Sequence, residues 1–170
     1  NTYNNYLVSE LLNVSLSPYP DFVVSYVSMP EEAMAGSPIT LSYTVENRGT
    51  RATFSSENWV DKIYISSEPQ FNIYNASLLT TVRKSGVIDV NSLYTETVEV
   101  PINANIATGQ YIYIMPDFND DVFEYVYENN NLYQTSLLNV VLYDCDLEAV
   151  SVTCPDDLSW GTSVNFSYEV

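Results

Sequence analysis

The sequence contains no histidine. That removes the commonest general base at neutral pH and the commonest transition-metal ligand. Basic residues are scarce: 5 Lys and Arg stand against 22 Asp and Glu, for a net charge of −17. All of them, Arg48, Arg51, Lys62, Arg83 and Lys84, fall in one stretch. A surface so acidic repels nucleic acid and anionic lipid, and it suits a soluble exterior rich in divalent cations. Only 5 glycines occur, and none is grouped into a phosphate-binding loop. No apolar run approaches the ~18 residues that a membrane-spanning helix needs. Cysteine is limited to Cys145 and Cys154, nine residues apart. An extended chain of that length spans ~30 Å, whereas a disulfide needs Cα atoms within ~7 Å. The two are therefore not expected to pair with each other. A partner beyond Val170 in an oxidising compartment, or reduced thiols, are the remaining alternatives.

What the chain does have is an internal repeat. Asp21-Phe-Val-Val-Ser-Tyr-Val-Ser-Met-Pro30 reappears as Asp146-Leu-Glu-Ala-Val-Ser-Val-Thr-Cys-Pro155. Gly36 then matches Gly161, Tyr43 matches Tyr168 and Val45 matches Val170, each 125 residues apart (170 − 45 = 125). A second echo, Ser9–Leu16 with Thr135–Leu142, has an interval of 126 (135 − 9 = 126). Long-period self-similarity is the mark of a tandem array. Three parts follow from its phase: residues 1–17 as the last strand of a preceding repeat, 21–142 as one complete unit, and 146–170 as the first two strands of a following repeat. Neither end piece is long enough to bury a core alone. The repeat thus leads us to expect further sequence before Asn1 and after Val170.

Within the complete unit, alternation with a period of two dominates, which is the strand signal. Strands are expected over 22–29, ended by Pro30, over 39–45, around Trp59–Ile65, over 78–82, over 94–102, over 110–115 and from about Leu132 to Leu142. Asp61 shares the apolar face of Trp59, Ile63 and Ile65, an unusual place for an acid. No segment sustains helical apolar spacing. About seven short strands with polar turns argue for an all-β, immunoglobulin-like antiparallel sandwich, repeated in tandem. The short Pro- and Asp-bearing linkers at Pro18–Asp21 and Asp144–Asp146 would join such units with limited hinge freedom.

Several segments in order carry a family resemblance. They are Asp21-Phe-Val-Val, the block Ala35-Gly-Ser-Pro-Ile-Thr-Leu-Ser-Tyr-Thr-Val-Glu-Asn-Arg-Gly49, Trp59-Val-Asp-Lys-Ile-Tyr-Ile-Ser66, Gly109-Gln-Tyr, and the acidic hairpin ending in Glu128-Asn-Asn-Asn131. Together they resemble the cell-adhesion-related domain found in bacteria, CARDB. The resemblance covers 21–142 and recurs in both end pieces. It implies an immunoglobulin-like sandwich of large extracellular or surface proteins, often in tandem, serving adhesion or spacing.

The sharpest candidate site is Asp117-Phe-Asn-Asp-Asp-Val-Phe-Glu-Tyr-Val-Tyr-Glu128. Asp117, Asn119, Asp121 and Glu128 occupy positions 1, 3, 5 and 12 of a D-x-N-x-D…E calcium loop. Val122 stands where the sharp turn of an EF-hand needs Gly, and the flanks alternate like strands. The segment reads either as a polar turn bonded to its own backbone or as a Ca²⁺ site in that turn or at the joint between units. Asp61 would add an oxygen if it faces the same end. Three glycosylation sequons occur, at Asn13, Asn75 and Asn165, with Asn75 in an expected loop. The serines have no neighbouring base, and catalysis is not expected.

The expected role is a non-enzymatic extracellular repeat module of a surface stalk, filament or adhesin. Its partners would be neighbouring repeats and other copies in a fibre or surface layer, with no nucleic acid. The alternatives are a Ca²⁺-dependent glycan- or protein-binding adhesive module and an accessory domain of a large secreted hydrolase.

Overall fold

The computed structural model describes residues 7–106, 109–142, 148–155, 159–161 and 163–169. Every regular element among them is a strand: β1 (Phe22–Ser28), β2 (Glu32–Met34), β3 (Pro38–Asn47), β4 (Asn58–Ser66), β5 (Ser77–Ser85), β6 (Leu93–Pro101), β7 (Tyr111–Met115), β8 (Tyr133–Gln134), β9 (Asn139–Val141), β10 (Ser151–Thr153) and β11 (Ser167–Glu169). One sheet has the order β1-β3-β6 and the other β5-β4-β7-β8, with every pairing antiparallel. The chain crosses between the sheets from β3 to β4 and back from β5 to β6. The result is an all-β sandwich of the immunoglobulin-like kind.

Alternation dictates the core. Along β3, Ile39, Leu41, Tyr43, Val45 and Asn47 are buried while their neighbours are exposed or half-buried, as a pleated strand with one wet face requires. Across from them lie Trp59 and Ile63 of β4 and Ile112 and Ile114 of β7, all in one apolar cluster with Phe22 and Val100. Phe22 and Trp59 stack between the sheets with ring centroids 5.0 Å apart. Each such aromatic removes ~150–250 Å² from water, enough to dominate a core of this size.

Two features differ from expectation. The short β2 runs parallel to β9 and has no counterpart among the expected strands. The single final strand expected over Leu132–Leu142 is divided into β8, on β7, and β9, on β2. Thr135 makes the break. Its Oγ1 accepts the Ile112 N–H at 3.0 Å and donates to the Ser136 carbonyl at 2.8 Å, while the Thr135 N–H still donates to the Ile112 carbonyl at 3.0 Å. The chain then bridges from Leu138 to Gln110, just before β7, and continues as β9 in a separate two-stranded sheet with β2.

The hairpin β10–β11 repeats a geometry seen earlier. Its pairs Ser151↔Glu169, Val152↔Tyr168 and Thr153↔Ser167 reproduce Tyr26↔Thr44, Val27↔Tyr43 and Ser28↔Ser42, each residue displaced by 125 (151 − 26 = 125; 169 − 44 = 125). Gly36 and Gly161, equally displaced, both hold φ at +82°. The hairpin has no core of its own: Phe166 and Tyr168 are each 67% exposed. Residues 7–18 carry no regular structure. Leu12 there is 85% exposed, whereas its counterpart Leu138 is fully buried.

Candidate functional site

The buried acids gather on the inner side of β4 and in the long connection from β7 to β8. Asp61 is wholly buried, as its parity on β4 requires. Its Oδ2 accepts the Tyr43 hydroxyl at 2.8 Å and the Tyr94 hydroxyl at 2.9 Å, and its Oδ1 accepts the Asp117 N–H at 3.3 Å. Burial pushes the carboxyl up to about 6, against the opposing effect of those three donors and of Lys84. Both phenols are in turn raised well above the usual tyrosine range, by burial first and then by Asp61.

Past β7 the chain enters a turn organised by Asp117, whose φ is +44°. Oδ1 accepts the Asp121 N–H at 3.0 Å and Oδ2 the Val122 N–H at 2.8 Å. Both oxygens of Asp117 are thus committed to the turn, and Val122 is delivered into the core. Desolvation raises the Asp117 carboxyl to about 6, although those two N–H groups oppose it. Asn119 and Asp121 are exposed and meet each other at 3.4 Å. The structure therefore places Asp117, Asn119, Asp121 and Glu128 in different settings. Among the described residues no three carboxylate or cysteine side chains converge closely enough to enclose a metal ion.

Glu124 was not among the expected metal ligands. It is 0% exposed. Its Oε2 accepts the Phe22 N–H at 3.0 Å. In the amide orientation that satisfies its neighbours, Asn131 Nδ2 also donates to that oxygen at 3.2 Å. The Glu124 N–H donates to Oε1 of Glu128 at 2.7 Å. Glu124 Oε1 and Glu128 Oε2 are buried and have no hydrogen-bond partner among the described residues. Burial pushes Glu124 up to about 8; the Phe22 N–H opposes this, and Glu128, Asp117 and Asp21 add to it. The one signal in the sequence was an acid sharing the parity of buried Val122.

A clamp adjoins this acidic end. The Tyr19 carbonyl accepts the N–H groups of Thr50 at 2.8 Å and Arg51 at 3.1 Å. Its ring lies 5.5 Å from that of Tyr125 and 5.8 Å from that of Tyr127. A Cβ on Gly49 would fall 2.3 Å from the Tyr19 carbonyl oxygen, so only glycine permits this approach. Asn47 locks the same corner: Oδ1 accepts the N–H groups of Asp21 and Gly49, and Nδ2 donates to the carbonyls of Arg51 and Ile88. Asp21 also holds the Asn130 amide at 2.9 Å.

Of the sequons, Asn75 is exposed in a turn, its amide donating to Glu68 at 2.8 Å. Asn13 and Asn165 are exposed outside regular strands. Cys154 is exposed and free; Cys145 lies outside the described residues. Among the described residues no helix is long and apolar enough to cross a membrane.

These features define an immunoglobulin-like sandwich module with its incoming chain clamped and its acids buried. The chain belongs to the CARDB family, whose model matches residues 19–135. It is similar in fold to the CARDB domain of the PF1109 protein from Pyrococcus furiosus, solved in complex with di-metal ions. That likeness has a TM-score of 0.53 at 17% identity and covers 80% of this chain and 100% of that one. The solution structure of the same domain gives a TM-score of 0.53 at 18% identity, covering 74% and 98%. A β-glucosidase from Listeria innocua is also similar, at a TM-score of 0.48 and 13% identity, over 81% of this chain and 20% of that one. No curated protein sequence matches the chain.

Proposed function

We propose that the protein is a non-enzymatic extracellular spacer: one bead of a tandem array in a surface stalk, filament or adhesin. The observation that carries this reading is the hairpin β10–β11, which reproduces the register of β1–β3 one repeat later with its apolar side chains exposed. In a following repeat those side chains would enter a core of their own. The clamp supplies the mechanical half of the argument. Tyr19 and Pro20 are held by backbone bonds and by the close approach of Gly49, so the direction in which the chain enters the sandwich is fixed. Short, held linkers make a rod that resists bending.

The placement of two of the buried acids supports the non-enzymatic reading. Asp61 and Asp117 are each tied to core donors rather than presented to a groove. The groove of about 460 Å³ beside β4 and β5 is lined by Trp59, Arg83, Lys84, Asn119 and Asp121 among others, and reaches neither Asp61 nor Glu124. Exposed Asn75 is a glycan acceptor that a secretory route would use. Calcium is the cofactor that suits an extracellular module of this charge.

Electron microscopy of the protein at full length tests the spacer reading. Thin rods, lengthening in proportion to the number of repeats, are expected; compact particles of repeat-independent size contradict it.

A further inference from the structure

We infer that the irregular connection 116–132, between β7 and β8, is an interdomain joint: its exposed rings Phe123, Tyr125 and Tyr127, with Tyr19 of the linker, seat the preceding repeat. The inference rests on the tandem reading and assigns the surface by which one unit holds the next. Phe123 is 65% exposed and Val126 56%, and Tyr125 and Tyr127 are exposed beside them. The rings form one patch. Tyr19 lies 5.5 Å from Tyr125 and 5.8 Å from Tyr127, and Phe123 lies 6.4 Å from Tyr125, between centroids. Single exposed apolar residues need no explanation, whereas a contiguous aromatic patch marks a contact surface.

The connection holds that patch still. It is longer than the ~12–15 residues beyond which an irregular loop in a compact domain is uncommon and usually functional. It is pinned to the incoming strand: Glu124 Oε2 accepts the Phe22 N–H at 3.0 Å, and Asp21 holds the Asn130 amide at 2.9 Å. Val122 and Glu124 are buried between the exposed rings, so the same alternation that anchors the loop turns its aromatics outward. Tyr125 holds φ at +61°, a strained backbone for such a residue that persists only where the surroundings demand it.

The tether names the occupant. Leu16 is the counterpart of Leu142, and only Ser17 and Pro18 separate it from Tyr19. Three residues reach at most ~10 Å, less than the ~13 Å radius of gyration of a 100-residue domain. A sandwich ending at Leu16 therefore cannot stand clear of the rings that Tyr19 touches. So short a tether gives an effective concentration in the mM range, and a contact too weak to join separate molecules forms within one chain. Any free ligand would compete with that neighbour for the same rings. The exit end of the unit seen here is apolar to match: Met34 pairs beside Val141, and both are exposed with Leu142. Leu16 is exposed in the same way.

Hydroxyl-radical footprinting of the full-length protein and of the 170-residue chain tests the joint. Tyr26, exposed midway along β1, is the reference. A joint closed roughly nine-tenths of the time takes about 1.4 kcal/mol of contact energy and lowers the oxidation of Phe123 and Tyr125 about tenfold in the full-length protein, with Tyr26 unchanged. Phe123→Ser in the full-length protein should return Tyr125 to its rate in the shorter chain. Because Phe123 projects into water, the same substitution should leave the urea midpoint of the shorter chain unchanged. Equal oxidation of Phe123 and Tyr125 in both proteins, with Phe166 and Tyr168 protected in the longer one, overturns the joint and leaves the array standing. Equal oxidation of all four rings in both overturns the two together. Protection already complete in the 170-residue chain also overturns the joint, since residues 7–18 and not a folded neighbour would then cover the rings.

Discussion

The Tyr43 hydroxyl donates to Oδ2 of Asp61 at 2.8 Å across the interior, from β3 to β4. This bond joins the two sheets through a carboxylate where an apolar contact would be usual. With Tyr94 as second donor, it lets an acid occupy the middle of a hydrophobic cluster.

Asp61 should make stability depend on pH with a definite sign. Its folded value, about 6, lies above the ordinary 3.8, so the native state binds the proton more readily. Its contribution is fully present below 3.8 and is lost as pH rises to about 6. The groups facing it are Tyr43, Tyr94, the Asp117 N–H and Lys84. Urea denaturation of the wild type and of Asp61→Asn at several pH values isolates the effect. The stability difference, wild type minus variant, should fall by about 2–4 kcal/mol between pH 4 and pH 6.5. A flat difference contradicts the burial of this charge.

The two phenols should act as a unit. Tyr43→Phe and Tyr94→Phe each remove one donor to Oδ2 and should cost about 1–3 kcal/mol at neutral pH. In the double variant the carboxylate keeps only the Asp117 N–H, so the cost should exceed the sum of the singles by about 1 kcal/mol. Strict additivity would mean that the phenols do not share the same oxygen.

Gly49→Ala should loosen the clamp. The added methyl meets backbone atoms of Tyr19 and Pro20 at 2.3–2.6 Å, which no rotamer change relieves. A loss of about 1–3 kcal/mol is expected, with faster amide exchange at Thr50 and Arg51, the donors to the Tyr19 carbonyl. Unchanged exchange at those two amides would contradict the clamp.

Asn47→Ala should be among the most damaging single changes. It strands the N–H groups of Asp21 and Gly49 and the Arg51 carbonyl, while the Ile88 carbonyl keeps only the Thr53 N–H. Orphaned buried groups cost about 1–3 kcal/mol each, with partial rescue by water. The expected loss is about 3 kcal/mol or more, read as a lowered urea midpoint with an unchanged slope. Asn47→Asp keeps the acceptor but not the donors and should be intermediate.

The strands that alternate cleanly were legible in the sequence. β3 and β4 declare their inner faces through parity, and that parity put Asp61 inside. What makes Asp61 tolerable was not legible, because Tyr43 and Tyr94 lie 18 and 33 residues away. β2 has three residues, too few to show a period, and its partner β9 lies about 107 residues along the chain. Phe123, Tyr125 and Tyr127 alternate like a strand, yet positive φ at Asp117, Asp120 and Tyr125 breaks any ladder there. Glu124 was hidden for the same reason as Asp61: its anchor, the Phe22 N–H, is 102 residues distant. Periodicity reads local geometry; partners brought together by topology leave no local trace.

Hydroxyl-radical footprinting of Phe166 and Tyr168 in the full-length protein tests tandem repetition most directly. Both are 67% exposed in this chain, while their counterparts Leu41 and Tyr43 are fully buried. If β10 and β11 begin another sandwich, both rings will be as strongly protected as Tyr43. Oxidation of either at the rate of a solvent-exposed aromatic would contradict it.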